Sequence, residues 1–211
     1  MSRDRDIRSV SFDGFELREE DGKTTARGYA AVYNSLSVPI YGMFRERIRP
    51  GAFRRSLAGD GDVFAFWQHD STRPLARRST GTLRLREDDR GLAVEIDLPD
   101  TSYGRDAADA IRTGLVDKMS FGFAVADGGD VMTKERADDG LPIRELTDVD
   151  LYEVSPVTMP AYEGTELSAR SQAAVDSLKA DLEGDQVAEA AAEAARIDVR
   201  LRRLDLIERA G

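Results

Sequence analysis

Three polar side chains that lie within apolar stretches are the residues of this chain best suited to acid–base and nucleophilic chemistry. His69 follows an apolar run over residues 63–67 and is the only histidine among 211 residues. An imidazole can take up and return a proton near neutral pH without a metal or a cofactor, but it needs a nucleophile to activate. Ser120, flanked by methionine and phenylalanine, is the clearest candidate nucleophile, and Glu153 is a carboxylate inside another apolar stretch.

The neighbours of these residues suggest how they would be used. Gly122 follows two places after the serine, and a glycine there would let the backbone approach a bound carbonyl whose oxyanion nearby N–H groups could stabilise. A carboxylate buried without a partner is costly, so we expect an imidazolium, an arginine or another donor to face Glu153. Asp148 and Asp150 lie on the same predicted strand. They therefore remain alternatives for the residue that orients the histidine.

Five short motifs occur in a fixed order along the chain. They are Gly28-Tyr29-Ala30-Ala31-Val32-Tyr33-Asn34, Arg49-Pro50-Gly51-Ala52-Phe53, Trp67-Gln68-His69-Asp70, Lys118-Met119-Ser120-Phe121-Gly122-Phe123 and Glu153-Val154-Ser155-Pro156-Val157-Thr158-Met159-Pro160-Ala161. In residue type, order and spacing this set resembles the prohead (procapsid maturation) proteases of tailed bacteriophages. The resemblance covers about residues 27–166. That family is similar in fold to the herpesvirus assembly proteases and uses a serine nucleophile with a histidine base.

The resemblance implies both a fold and an activity. The fold would be mainly β with helices (α+β): a closed β-barrel of the herpesvirus-protease type with flanking helices. Within the matching motifs, His69 corresponds to the family histidine and Ser120 to the family serine. Glu153 is our choice for the third member of the catalytic triad. The implied function is a serine endopeptidase that needs no cofactor and no metal.

The same resemblance implies substrates, partners and a location. The substrates would be the scaffolding protein, or a scaffolding segment of the major capsid protein, and finally the protease itself. Cleavage would take place inside the immature procapsid in the host cytoplasm. Two other classes of function remain as alternatives: an assembly or scaffolding factor that has a protease fold without catalysis, and a different hydrolase on a small β-barrel, such as an esterase.

Composition excludes several other classes of function. A net charge of −10 argues against nucleic-acid binding, because the chain has no basic surplus to displace counterions from phosphates. The absence of cysteine excludes disulfides, thiol catalysis and cysteine-ligated zinc. No apolar run approaches the roughly 20 residues that span a bilayer, and the charged first eight residues lack a signal-peptide core. We therefore expect a soluble intracellular protein without nucleic-acid or membrane partners.

Hydrophobic patterning predicts the elements that position the three candidates. Alternation and strand-forming residues predict strands, the Asp21-Gly22 pair predicts a hairpin, and a single apolar stripe predicts a helix that Ser102 caps. The predicted strands are residues 24–33, 44–48, 63–67, 81–85, 92–98 and 118–125, followed by one or two strands over residues 143–157 that Pro156 and Pro160 end. The predicted helices are residues 52–57 and 101–115, and the predicted loops are residues 34–44, 70–78 and 127–141.

A change of composition near residue 170 predicts two domains, a protease domain over residues 1–168 and a helical tail over residues 169–211. In the tail, apolar residues from Val187 to Leu204 recur at alternating steps of three and four, as in a coiled coil. The repeat is short and two of its six seam residues are alanine, which favours a weak partner helix. That partner could be the scaffold or a second copy of the chain, or the tail could pack on its own domain.

Overall fold

The structure is a computed structural model that describes residues 6–11, 16–40 and 42–158, with the backbone alone at residues 7 and 9–11. Twelve strands and two α-helices occur in these ranges. The strands are β1 Asp6–Ser11, β2 Glu16–Glu20, β3 Lys23–Val32, β4 Arg45–Ile48, β5 Phe64–Trp67, β6 Asp70–Arg77, β7 Leu83–Glu87, β8 Gly91–Asp97, β9 Lys118–Val125, β10 Asp130–Arg136, β11 Pro142–Leu146 and β12 Val149–Val157. The helices are α1 Arg54–Ala58 and α2 Ser102–Arg112.

The described strands form three sheets. Their orders are β1-β9-β12-β5-β6, β2-β3-β8-β7 and β10-β11-β4. The prediction of a mainly β fold with helices is confirmed, but the described residues do not form the expected closed barrel. Closure needs a ladder of hydrogen bonds between the first and last strands, whereas β1 and β6 are unjoined edges of the five-stranded sheet.

The core surrounds β9, the strand that carries Ser120. Seven of its eight residues are buried, as is typical of a central strand covered on both faces. Phe121 packs edge-on against Phe53 with ring centroids 5.6 Å apart, and it stacks with Phe123 at 5.2 Å. The candidate nucleophile therefore lies on one of the most constrained strands of the described fold.

Two regions predicted as loops are strands. Residues 70–78 contain β6, and residues 127–141 contain β10. Both strands lie at a sheet edge and expose most of their side chains. An edge strand in water needs no apolar alternation and often carries charges, so the hydrophobic pattern does not reveal it.

Two predicted element ends also differ from the structure. The hydroxyl that caps α2 belongs to Thr101, which accepts a hydrogen bond from the backbone N–H of Gly104 at 3.1 Å, and not to Ser102. Pro156 lies inside β12 and does not end it. Its carbonyl faces β5 and accepts from the Gln68 N–H at 3.2 Å. The N–H that proline lacks would point to the same side, beyond the paired part of β5, so the strand tolerates it.

Other predicted features agree with the structure. The Asp21-Gly22 turn has positive φ at both residues and joins β2 to β3, as a two-residue hairpin requires. No helix in the described ranges is long and apolar enough to cross a membrane. Pro160 and the predicted tail, residues 169–211, lie outside the described residues, so the two-domain organisation and the coiled-coil pattern stay predictions.

Candidate active site

His69 lies in a tight turn between β5 and β6. Trp67 pairs with Asp70 across the turn, and the two residues between them, Gln68 and His69, have φ values of 55° and 63°. This left-handed geometry suits a two-residue hairpin, but it costs non-glycine residues about 1–3 kcal/mol each and is concentrated at functional sites. The Gln68 side chain accepts from the Thr158 N–H at 3.2 Å and so ties the turn to the end of β12.

The imidazole of His69 contacts Glu153, which lies 84 positions away in the sequence. Nδ1 is 2.5 Å from Oε1 of the carboxylate. An ionised carboxylate can only accept, so Nδ1 carries the proton and Nε2 of the neutral ring is left as a base. Nε2 is buried and has no hydrogen-bond partner in the described part of the chain. This arrangement is suited to removing a proton from a nucleophile.

A bulge in β12 places Glu153 on the same face of the sheet as the candidate serine. Leu151 pairs with Phe123 but Glu153 pairs with Gly122, so Tyr152 is an extra residue on the β12 side. A shift of one residue moves a side chain to the opposite face of a sheet. Without the bulge, Glu153 would pair with Phe121 and point into the apolar core.

The second oxygen of the Glu153 carboxylate is held by Ser155. Its Oγ donates to Oε2 over 2.5 Å, and the serine side chain is fully buried. Residues two apart on a strand share a face, so the spacing of these residues contained the signal for this contact. Ser155 is not among the site residues predicted from the sequence, because a serine in a strand has no distinctive pattern of its own.

Gly122 provides the space that the carboxylate occupies. A Cβ atom at this position would lie 2.9 Å from both Cγ and Oε1 of Glu153, closer than such contacts allow. The sequence predicts that this glycine allows the backbone to approach a bound carbonyl. In the structure the missing side chain makes room for the acidic residue on the neighbouring strand.

Ser120 lies beside this group on the same face of the sheet. It pairs directly with Ser155 across β9 and β12 and is fully buried. Its Oγ donates to the backbone carbonyl of Arg8 in β1 at 3.0 Å. The structure thus brings His69 and Glu153 into direct contact and places Ser120 next to them, with its hydroxyl directed at β1 and not at the imidazole.

The two alternative carboxylates are engaged elsewhere. Asp148 and Asp150 contact the Arg55 guanidinium of α1 at 2.8 and 2.6 Å. Hydrogen bonds to Asp148 and then Asp150 hold the pKa of Arg55 above its usual value. Of the three candidates for the third member, the one in contact with His69 is Glu153.

Comparisons with known proteins place the chain in a family. The family model described as caudovirus prohead serine protease matches residues 4–179, a range that includes His69, Ser120 and Glu153. A solved structure of the bacteriophage T4 capsid assembly protease, gp21, is similar with a TM-score of 0.41 and 11% identity, and the match covers 71% of this chain and 96% of that one. No curated protein matches. Since the family model covers well over half of its length, the chain belongs to the caudovirus prohead serine protease family.

Proposed function

We propose that this protein is a serine endopeptidase that cleaves scaffold or capsid protein segments, and itself, during maturation of a viral procapsid. The contact between His69 Nδ1 and Glu153 Oε1, which leaves Nε2 unoccupied within the described residues, is the observation that carries the proposal. Ser120 is the nucleophile, His69 the base and Glu153 the group that orients the ring. Membership of the prohead serine protease family supports the choice of substrate class.

The proposed reaction follows from the protonation states. His69 Nε2 takes the proton from the Ser120 hydroxyl as the oxygen attacks a peptide carbonyl, and Glu153 stabilises the imidazolium that forms. The imidazolium then gives this proton to the leaving amine as the C–N bond breaks, which leaves an ester on Ser120. Water attacks the ester with His69 again as base, and the released acid and the free serine complete the cycle.

The spacing of residues on β9 supports the proposal that Nε2 of His69 can reach the Ser120 hydroxyl. Oε1 of Glu153 lies against Gly122, and Ser120 is two residues along the same face, a distance of roughly 6.6 Å. An imidazole that is bonded to Oε1 through Nδ1 spans about that distance with Nε2 and one further hydrogen bond. Rotation of the Ser120 side chain would exchange the Arg8 carbonyl for His69 as acceptor.

Co-expression with the cognate capsid and scaffold proteins tests the proposal. We expect intact-mass spectra to show scaffold or capsid fragments with the wild-type chain and none with His69→Ala or Ser120→Ala. Cleavage by Ser120→Ala would reject this serine as the nucleophile. Normal shells without fragments in every case would favour the assembly-factor alternative, and faster turnover of small acyl esters than of capsid-derived peptides would favour an esterase.

A further inference from the structure

We infer that Ser155 is a positioning residue, which fixes the orientation of the Glu153 carboxylate so that Glu153 in turn fixes the His69 ring. The inference deepens the proposed function, because it assigns a fourth residue to the same site. It rests on the geometry around Glu153, where each carboxylate oxygen has its own partner. Oε1 faces His69 Nδ1 and Oε2 receives the Ser155 hydroxyl, both at 2.5 Å.

A glutamate needs such a second contact to orient a histidine. Its side chain has three rotatable bonds, and the terminal torsion that sets the carboxylate plane is broad. A donor on Oε2 removes this freedom, because the plane is then defined by contacts at both oxygens. Hydrogen bonds to a charged acceptor are also the stronger kind, so the Ser155 contact can hold the carboxylate against rotation.

The burial of Ser155 indicates that its hydroxyl serves the contact with Glu153. Ser155 has no exposed surface, and a buried hydroxyl is costly unless it is hydrogen-bonded. Alanine would fill nearly the same space without that cost. In the structure, the Ser155 hydroxyl donates its hydrogen bond to Glu153. The position therefore favours a residue whose donor the carboxylate uses.

The same geometry separates the roles of the two facing serines. Ser155 lies on the carboxylate side of the group, bonded to Oε2, whereas the unoccupied base atom of His69 is Nε2, on the side of the ring remote from Glu153. A hydroxyl that donates to a carboxylate is not poised to transfer its proton to that nitrogen. Ser120, which pairs with Ser155 across the two strands, keeps the role of nucleophile.

The kinetic test compares four variants of the full chain. Ser155→Ala should lower kcat on a capsid-derived peptide about 10-fold to 10²-fold with little change in KM, since small misplacements of catalytic groups have effects of this size. Ser155→Thr keeps the hydroxyl and should recover most of the rate, whereas Ser155→Cys keeps the size but donates weakly and should not. Ser56→Ala is the matched control, because the partner of the Ser56 hydroxyl in the described structure is the Leu151 N–H, which donates to it at 2.9 Å.

A spectroscopic test does not depend on catalysis. Since His69 is the only histidine, nitrogen-15 NMR of labelled protein reports one imidazole. The wild type should show the Nδ1–H tautomer at mildly alkaline pH, Ser155→Ala and Ser155→Cys should shift the ring towards a mixture of tautomers, and Ser155→Thr and Ser56→Ala should resemble the wild type.

The two tests have distinguishable failures. Unchanged kcat and an unchanged tautomer in Ser155→Ala would overturn the positioning role. Equal losses in Ser155→Thr and Ser155→Ala, with a wild-type tautomer in both, would also overturn it, because the effect would then follow packing and not the hydroxyl. If Ser155→Ala does not fold, the size-matched Ser155→Cys decides by the same criteria. A wild-type chain that cleaves no peptide would reject the proposed protease function, while the tautomer would still test the Ser155 contact.

Discussion

In the five-stranded sheet, the Glu153 side chain occupies the space that a side chain at Gly122 would fill. A Cβ at Gly122 would lie 2.9 Å from Cγ and Oε1 of the glutamate. A glycine inside a strand weakens it, and such positions often mark a close approach of another group. Here the approaching group is the carboxylate that contacts His69. The contact therefore depends on the glycine in β9 as well as on the glutamate in β12.

Gly122→Ala should reduce kcat/KM by about 10²-fold, because the added methyl group must displace the carboxylate that orients the imidazole. Circular dichroism should show an unchanged content of strand. Gly61→Ala is the matched control, since a Cβ there would meet no atom within 4 Å. Full activity of Gly122→Ala would show that the position of the carboxylate is unimportant.

Glu153→Gln should lower kcat by about 10²-fold to 10⁴-fold, because an amide neither fixes the ring tautomer as a carboxylate does nor stabilises an imidazolium. Asp148→Asn and Asp150→Asn should keep most of the activity, because those carboxylates contact Arg55. Peptide hydrolysis by the three variants decides among the candidates. The opposite ranking, with Asp150→Asn inactive and Glu153→Gln active, would reassign the third member.

The stability of the fold should depend on pH through Glu46. This residue is 3% exposed and contacts Arg8 and Arg144. Burial alone would raise the pKa of its carboxyl, but the two guanidinium groups outweigh burial and hold the pKa below the usual value of about 4.5. A carboxyl whose pKa is lower in the folded state contributes its full stability above the unfolded value and loses it as the pH falls through the folded value.

Glu46→Gln should lower the free energy of unfolding by about 1.5–3 kcal/mol at pH 7, since it removes the carboxylate that binds both Arg8 and the buried Arg144, which keep Asp6 and Asp130 as acidic partners. The difference from the wild type should narrow as the pH falls below about 4.5, the usual carboxyl pKa. Urea unfolding between pH 3 and pH 7 measures this difference. Glu135→Gln, which removes a carboxylate that is 56% exposed, is the control and should have little effect. A difference that does not vary with pH would contradict the assigned role.

The tail should act in packaging and not in catalysis. Deletion of residues 170–211 should reduce incorporation of the protein into procapsids while peptide hydrolysis stays intact. Ile197→Glu places a charge in the predicted apolar seam and should have the same effect, whereas Ala195→Glu, outside the seam, should not. Gel analysis of purified procapsids measures incorporation. If the deletion variant is incorporated into procapsids as well as the wild type, the tail has no role in packaging.

Much of the fold could be predicted because its buried strands carry period-two or continuous apolar patterns. The alternation of Leu92, Val94 and Ile96 predicts β8, and the apolar run before His69 predicts β5. The edge strands β6 and β10 cannot be predicted in this way, because they face water and their apolar and polar residues need not alternate. The sheet closure taken from the family resemblance depends on long-range pairing, which the local pattern does not encode.

Residue type and the family resemblance select His69, Ser120 and Glu153 as candidates and suggest an imidazole as partner of Glu153, but they do not show how the strands bring these residues together. The bulge at Tyr152, which decides the face on which the carboxylate lies, depends on the register between β9 and β12 and leaves no local signal. The role of Gly122 follows from that register and so emerges from the structure alone, whereas the spacing of two residues already places Ser155 on the same face as Glu153.

Labelling with a fluorophosphonate tests the central claim, that Ser120 is a nucleophile activated by His69, most directly. The reagent forms a stable adduct with an activated serine, and intact mass followed by peptide mapping locates it. We predict one adduct on Ser120 in the wild type and none in Ser120→Ala or His69→Ala. An adduct on another serine such as Ser155, equal labelling of His69→Ala, or no adduct on the folded wild type would contradict the claim.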